Sequence, residues 1–305
     1  MSSQIENVAV SGATGLVGTE LNTLLQSEGK SVTAISRKEG GSYQDSIVWD
    51  PESGLTNPAR LETVDAVVHL AGESIASGRW NSKLKNKIKR SRIQGTRTLV
   101  ESIAAIEKRP KVLVSASAIG YYGDRGEEEL TEASSAGTGF LAEVCKEWED
   151  EANAARELGL RVVNVRIGVV LSPKGGALQK MLLPFKLGMG GVVGSGSQYW
   201  SWIGLHDLTR IIAHCINDES MEGPVNAVSP EPLTNKQFTK GVGSALSRPT
   251  IVPMPAFMAK IALGEMAEAL LLASTRVLPQ KLQSSGFEFL HGDLQSCLKY
   301  ELNQS

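Results

Sequence analysis

Cysteine is scarce in this chain. The three present, Cys145, Cys215 and Cys297, are odd in number and far apart. They suggest no disulfide framework, and no Cys/His spacing suggests zinc, so no metal site is expected. A reducing compartment follows, most simply the cytoplasm. Long hydrophobic runs are also missing. The longest, residues 261–273, is broken by Glu265 and Glu268, and it is too short to span a bilayer. No charge sign dominates: 31 Lys and Arg stand against 33 Asp and Glu. Nothing of that kind draws the chain to nucleic acid or anionic lipid. The opening Met1-Ser2-Ser3-Gln4-Ile5-Glu6 lacks the basic and apolar regions of a secretory signal. No fixed-period repeat is visible. These absences leave a 305-residue chain of soluble-enzyme character, with length for about two structural units.

The first half alternates short Val/Ile/Leu runs with longer amphipathic segments. Strands are expected over 8–11, 31–36, 47–50, 64–70, 111–115 and 161–166, with helices over 82–106 and 140–158. This alternation reads as βαβ units on a parallel sheet. The pattern changes after Ser172, where Pro173-Lys174-Gly175-Gly176 signals a loop. Helices are expected over 177–187 and 205–216, from a cap at Thr234 or Asn235, and over 255–273. The glycine-rich stretch 188–196 reads as a long mobile loop able to close over a ligand. The expected architecture is α/β. It is a Rossmann-type doubly wound parallel sheet over 1–172, with a smaller interleaved C-terminal lobe over 173–305.

Directly behind Val8-Ala9-Val10 stand Gly12-Ala13-Thr14-Gly15-Leu16-Val17-Gly18. A three-glycine spacing says little alone. Closing a first strand and opening a helix, it reads as a pyrophosphate cradle. Gly12 permits the tight turn. Gly15 has no side chain, so a diphosphate can approach the backbone. Gly18 lets the helix lie close to the sheet. That helix, expected over 16–27, points free N–H groups and the positive end of its dipole at the phosphates. The bland alternative is a glycine-rich turn without a ligand.

Gly12-x-x-Gly15-x-x-Gly18 and His69-Leu70-Ala71-Gly72 together resemble the extended short-chain dehydrogenase/reductase superfamily. Three further stretches narrow the resemblance. They are Ser115-Ala116-Ser117-Ala118-Ile119-Gly120-Tyr121-Tyr122-Gly123, Pro184-Phe185-Lys186-Leu187-Gly188-Met189-Gly190-Gly191, and residues 277–287 with Gly286 and Phe287. These resemble the "epimerase family proteins", chains similar to nucleotide-sugar epimerases, and the likeness covers almost the whole sequence. Some relatives carry a cell-division-inhibitor-like label or a link to plastid division.

The resemblance implies a cofactor path along Gly12, Thr14, Gly15, Leu16, Val17 and Gly18, then past His69, Leu70, Ala71 and Gly72. NAD-specific proteins place an acid at the end of the second strand. Here that strand ends Ser36-Arg37-Lys38, with no carboxylate until Glu39. Ser36 can donate to a phosphate and Arg37 can grip it with two parallel N–H bonds. The turn therefore reads as a 2′-phosphate pocket for NADP(H), or else as a solvated basic turn. His69 can hydrogen-bond locally without titrating.

The family's catalysis combines Ser, Tyr and Lys, with Tyr four residues before Lys. Ser117 and Lys146 fill two of these roles, and Lys146 would also hold the nicotinamide ribose beside Arg166. The third position is Ala142, and no tyrosine lies on that helix. Tyr121 or Tyr122 can replace it, as can Glu143 acting through water, or the site binds cofactor without turnover. Lys146 can instead pair with Glu149 or Asp150, and both tyrosines can simply pack. Glu73, Gln198 and Trp202 are candidate substrate contacts, each with a structural alternative. Trp200 shares that description, while His206 is not carried over, because relatives often hold an acid there. Six basic residues among 83–92, Lys83, Lys85, Lys87, Lys89, Arg90 and Arg92, read as a partner surface or as the solvated face of a helix. Met254, Met258 and Met266 read as core or as an adaptable interface.

Two functions follow. One is an NADP(H)-binding oxidoreductase or epimerase acting on an unidentified small polar substrate. The other is a cofactor sensor or division-linked interaction protein with little turnover.

Overall fold

The computed structural model describes residues 5–38 and 46–303. Five short apolar segments form the strands β1 (Asn7–Ser11), β2 (Ser31–Ser36), β3 (Ser46–Asp50), β4 (Gly54–Leu55) and β5 (Ala66–His69). They are joined by β6 (Val112–Ala118), and two later strands complete the sheet. Between them run α1 (Leu16–Ser27), α2 (Ser82–Ala104) and α3 (Phe140–Asn153). The short β7 (Glu129–Leu130) lies outside the sheet, pairing with Arg276–Val277. Then come β8 (Arg161–Ile167), β9 (Val169–Ser172), α4 (Gly176–Lys186), β10 (Tyr199–Trp200), β11 (Trp202–Gly204), α5 (Leu205–Asn217) and β12 (Gly223–Ala227). The eight-stranded sheet has the order β12-β8-β6-β5-β1-β2-β3-β4. Every pair in it is parallel except β3 with β4.

Alternation along β1 explains the two cores. Val8 and Val10 face one way, against Leu21 and Leu25 of α1 and Leu208, Ile211 and Ile212 of α5. Ala9 faces the other way, with Val67, Leu113, Leu99 and Ile103 under α2 and α3. Side chains two apart on a strand share a face, so a parallel sheet covered on both sides needs apolar residues in both registers. This is the doubly wound arrangement that the sequence implies.

The C-terminal lobe is built around Trp202, Phe238, Leu298 and Cys297. Its separation from the sheet domain is incomplete. Past residue 172 the chain returns, α5 covers the sheet and β12 extends its edge beside β8. Thr234 caps the next helix, α6 (Asn235–Ala245), in a reciprocal capping box with Gln237, which satisfies two N–H groups that a helix start leaves orphaned. The helix expected over 255–273 is broken. It stops as α7 (Ala256–Leu263) because Gly264 takes φ +62°, and short turns follow. Helices at Gln280–Ser284 and Leu294–Asn303 come after it; their brevity hid them from periodicity. Met266 is buried, whereas Met254 and Met258 are exposed. The stretch read as a mobile loop is held in place. The Val193 N–H donates to Asn235 Oδ1, the Gly194 N–H donates to the Met254 carbonyl, and Gly191 lies against the Val252 carbonyl so closely that no Cβ fits. Among the described residues, no helix is long and apolar enough to cross a membrane.

Candidate functional site

The three motif glycines have different jobs, and the geometry separates them. Gly12 takes φ +70°, and a Cβ there would meet the backbone of Leu70 and Ala71 at 3.0 Å. Gly18 brings α1 onto the turn, where a Cβ would stand 2.2 Å from the Gly12 carbonyl oxygen. Gly15 differs from both. It caps α1 at φ −76° and ψ 173°, a conformation open to any residue. A Cβ there would meet only the Gly12 carbonyl, at 3.2 Å. Space therefore lies in front of Gly15 and the first N–H groups of α1, where a phosphate fits. Thr14 and Gly15 are exposed, and Leu16 and Val17 half-buried, at this mouth.

Ser11 ties the cradle to the next strand. Its hydroxyl accepts from the N–H groups of Leu70 and Ala71 at 3.2 and 3.3 Å and donates to His69 Nδ1 at 2.7 Å. The His69 side chain is fully buried and meets the edge of Trp49, 5.6 Å away between ring centres. Its imidazole is therefore turned away from the surface where the resemblance sets the cofactor path. Burial lowers the His69 pKa to about 4, so the ring is neutral at physiological pH. This has a consequence for stability. The unfolded chain takes up a proton near pH 6.5 that the fold refuses until about pH 4. The contribution of His69 is thus fully present above pH 6.5 and lost as pH falls toward 4, about 3 kcal/mol in all. Urea unfolding at pH 7.5 and 4.5 checks it. The parent should lose markedly more stability than His69→Asn, and equal losses would refute the assignment.

At the end of β2, Arg37 and Lys38 are exposed. Ser36 is turned back, its hydroxyl donating to the Lys38 carbonyl at 2.6 Å, which shapes the basic turn instead of presenting a donor. Glu39 lies outside the described residues.

The redox end departs further from expectation. Parallel register sets Ser117 on β6 beside Arg166 on β8, and α3 lays Glu149 over both. Ser117 donates to Glu149 Oε1 at 2.7 Å. Arg166 binds the same carboxylate through Nε and Nη2, each at 2.8 Å. All three side chains are buried. Burial alone would lower the Arg166 pKa; the hydrogen bond and charge of Glu149 win and raise it. Arg166 Nη1 also donates to the Tyr122 hydroxyl at 2.9 Å, and that hydroxyl donates to Asn226 Oδ1 at 2.7 Å. Tyr122 is fully buried, and burial pushes its pKa up to about 12. Ser117, Tyr122 and Arg166 are thus members of a closed internal network, not groups facing a reactant. Lys146 is corrected too. It is exposed and pairs with Asp150 at 2.9 Å, which raises its pKa. Ala142, where the family's tyrosine would stand, is buried. Tyr121 alone among the proposed catalytic residues keeps a half-buried phenol near the network, its ring centre 3.5 Å from the Arg166 guanidinium carbon.

The substrate candidates scatter. Glu73 pairs with Lys87 at 3.0 Å. Gln198 is buried and clips two backbone carbonyls together, those of Val193 and Leu271. Trp202 is fully buried in the C-terminal core, its indole N–H donating to the Glu231 carbonyl. Neither Gln198 nor Trp202 can line an open pocket. Asp207 lies in the first turn of α5 and is buried. Its carboxylate accepts from the N–H groups of Leu290 and His291.

Sequence reasoning gave Glu149 and Arg92 surface roles only and missed Asn226. A signal existed for two of them. Glu149 falls on the buried stripe of α3 with Ala142, Cys145 and Ala152, and Arg92 lies four residues after the buried Ile88 on α2. A charge on an apolar stripe is seldom accidental. Asn226 sits on an edge strand that the sequence did not reveal.

A left-handed glycine turn feeding a helix N-terminus at the carboxyl edge of a parallel, doubly wound sheet defines a Rossmann-type protein of the extended short-chain dehydrogenase/reductase kind. The model of the NAD dependent epimerase/dehydratase family matches residues 8–227, and a domain of unknown function matches residues 254–301. The chain belongs to the NAD dependent epimerase/dehydratase family. It is 41% identical over 293 residues to an epimerase family protein of Mycobacterium bovis, covering 96% of each chain. The human epimerase family protein SDR39U1 (isoform 2), solved with NADPH, superposes with a TM-score of 0.88 at 34% identity, over 98% of this chain and 100% of that one. A nucleoside-diphosphate sugar epimerase from Corynebacterium glutamicum gives 0.81 at 36% identity, covering 99% of this chain and 59% of that longer one.

Proposed function

We propose that the chain binds NADP(H) and uses it in hydride transfer or epimerisation on a small polar substrate. One observation carries the cofactor half. The clear space before Gly15 lies beside a strand whose end exposes Arg37 and Lys38 where an NAD-binding protein would hold an acid. These residues fit the group: the start of α1 would face the diphosphate and Arg37 the 2′-phosphate. The NADPH in the human relative supports this. When bound, the cofactor supplies or accepts hydride at its nicotinamide. Tyr121 is the residue that would give and take the accompanying proton, since the Tyr122 hydroxyl is sealed by Asn226 and Arg166. The three buried, unpaired cysteines support a reducing compartment, for this reading the cytoplasm.

Titration calorimetry tests the cofactor. NADPH should bind more tightly than NADH, and Arg37→Ala should weaken NADPH by about 1.5–3 kcal/mol, the loss of a charge-assisted pair. NADH should be nearly unaffected. Equal affinity for both cofactors would end the NADP(H) assignment. A substrate screen followed at the nicotinamide absorbance then tests the chemistry. Tyr121→Phe should lower turnover roughly a hundredfold or more while NADPH affinity holds. Ala142 and the surface pairing of Lys146 favour a second reading, a cofactor sensor or division-linked interaction protein. Tight NADPH binding with no turnover across the screen would select it.

A further inference from the structure

The basic run that opens α2 does not form a basic surface. Lys85, Lys87, Lys89 and Arg90 each reach a carboxylate, on Glu265, Glu73, Glu147 and Glu52 respectively. Arg92 does the opposite. It turns inward, and its guanidinium carbon lies 5.2 Å from the Trp148 ring centre and 3.5 Å from where a Cβ on Gly72 would stand. Nη1 donates to the carbonyls of Glu73 at 2.9 Å and Ile88 at 3.3 Å. Among the described residues no carboxylate pairs with Arg92, and Nε and Nη2 engage no acceptor.

The ionisable groups facing it do not neutralise it. They are the Cys145 thiol and the Glu73 carboxylate. Burial pushes the Cys145 pKa up to about 12, so the thiol carries no charge. Glu73 is committed to Lys87. Arg92 is half-buried, and a guanidinium partly withdrawn from water ordinarily has an acid beside it. Here the counter-charge is missing, and the open Nε–Nη2 edge presents two parallel N–H groups, the fork that matches a carboxylate.

The position agrees. Gly72 follows β5, and Cys145 lies against Gly120 beyond β6, so the guanidinium stands at the carboxyl ends of β5 and β6. That is the crevice where a doubly wound sheet receives its ligands. The cations assigned to the cofactor's 2′-phosphate end β2, three strand spacings from β6 in the sheet order, about 14 Å away.

We propose that Arg92 anchors an acidic group of the substrate, so that the substrate is a small carboxylate-bearing molecule and not a neutral sugar. This rests on the NADP(H)-dependent reading above and gives it a substrate class. The probe is malonate, titrated calorimetrically into NADPH-saturated protein, with uncharged malonamide as the control. Malonate should bind and malonamide should not. Arg92→Gln should weaken malonate at least tenfold and change NADPH affinity less than twofold. Arg92→Lys, which keeps charge but loses the fork, should weaken malonate several-fold, and it carries the test alone if the glutamine variant does not fold. Malonate binding that is absent from the parent, or equal in parent and variants, would overturn the proposal. So would an NADPH loss as large as the malonate loss, which would place Arg92 on the cofactor. Failure of the parent to bind NADPH at all would instead remove the cofactor reading, so the two failures are separable.

Discussion

Replacing Glu149 with alanine is expected to cost about 3–5 kcal/mol of stability, the range for removing one partner of a buried ion pair. The size comes from what remains. Arg166 would keep its charge inside the protein with only the Tyr122 hydroxyl and two aromatic rings beside it. Ser117 would lose its acceptor. The intact pair, by contrast, adds little over an apolar core, because desolvating two charges offsets most of their attraction. The double variant Glu149→Leu/Arg166→Met should therefore recover much of the lost stability. Urea unfolding with an unchanged m-value reads both effects. A double variant no better than Glu149→Ala would show that the loss comes from packing and not from a stranded charge.

Gly15→Val should abolish NADPH binding, a loss of at least a hundredfold, while the fold survives. Valine can adopt the extended backbone of Gly15, and its Cβ would press only on the Gly12 carbonyl, at 3.2 Å. The remaining bulk occupies the space assigned to the diphosphate. Gly18→Ala provides the contrast. Its Cβ would lie 2.2 Å from the same oxygen, so α1 must move off the turn and stability must fall. Calorimetric titration and thermal unfolding of the two variants separate the roles. A folded Gly15→Val protein that binds NADPH as the parent does would refute the phosphate cradle.

Much of the nucleotide end was legible because it is local. The turn at Gly12, the open face of Gly15 and the helix beginning at Leu16 lie within seven consecutive residues. Backbone rules act over that range. The basic turn after β2 was legible for the same reason. Lys146 and Ser117 misled because a family position names a residue without fixing which way its side chain points. Lys146 finds Asp150 one turn along its own helix, and Ser117 finds an acid 32 residues on.

By itself the sequence determined the βαβ order, the two-sided sheet, the glycine turn and the absence of a regular Ser-Tyr-Lys set. All of these follow from hydrophobic period, glycine placement and residue identity, which are properties of neighbouring positions. Only the tertiary structure decided which polar groups are internal. Strand register set Ser117 beside Arg166, the covering helix laid Glu149 over both, and β12 returned at the sheet edge to bring Asn226 to Tyr122. Only the tertiary structure turned Arg92 inward, half-buried and without a carboxylate partner among the described residues. The physical reason is that a buried charge is satisfied or stranded by groups distant in sequence, and their approach is set by packing across the sheet, which no local pattern encodes.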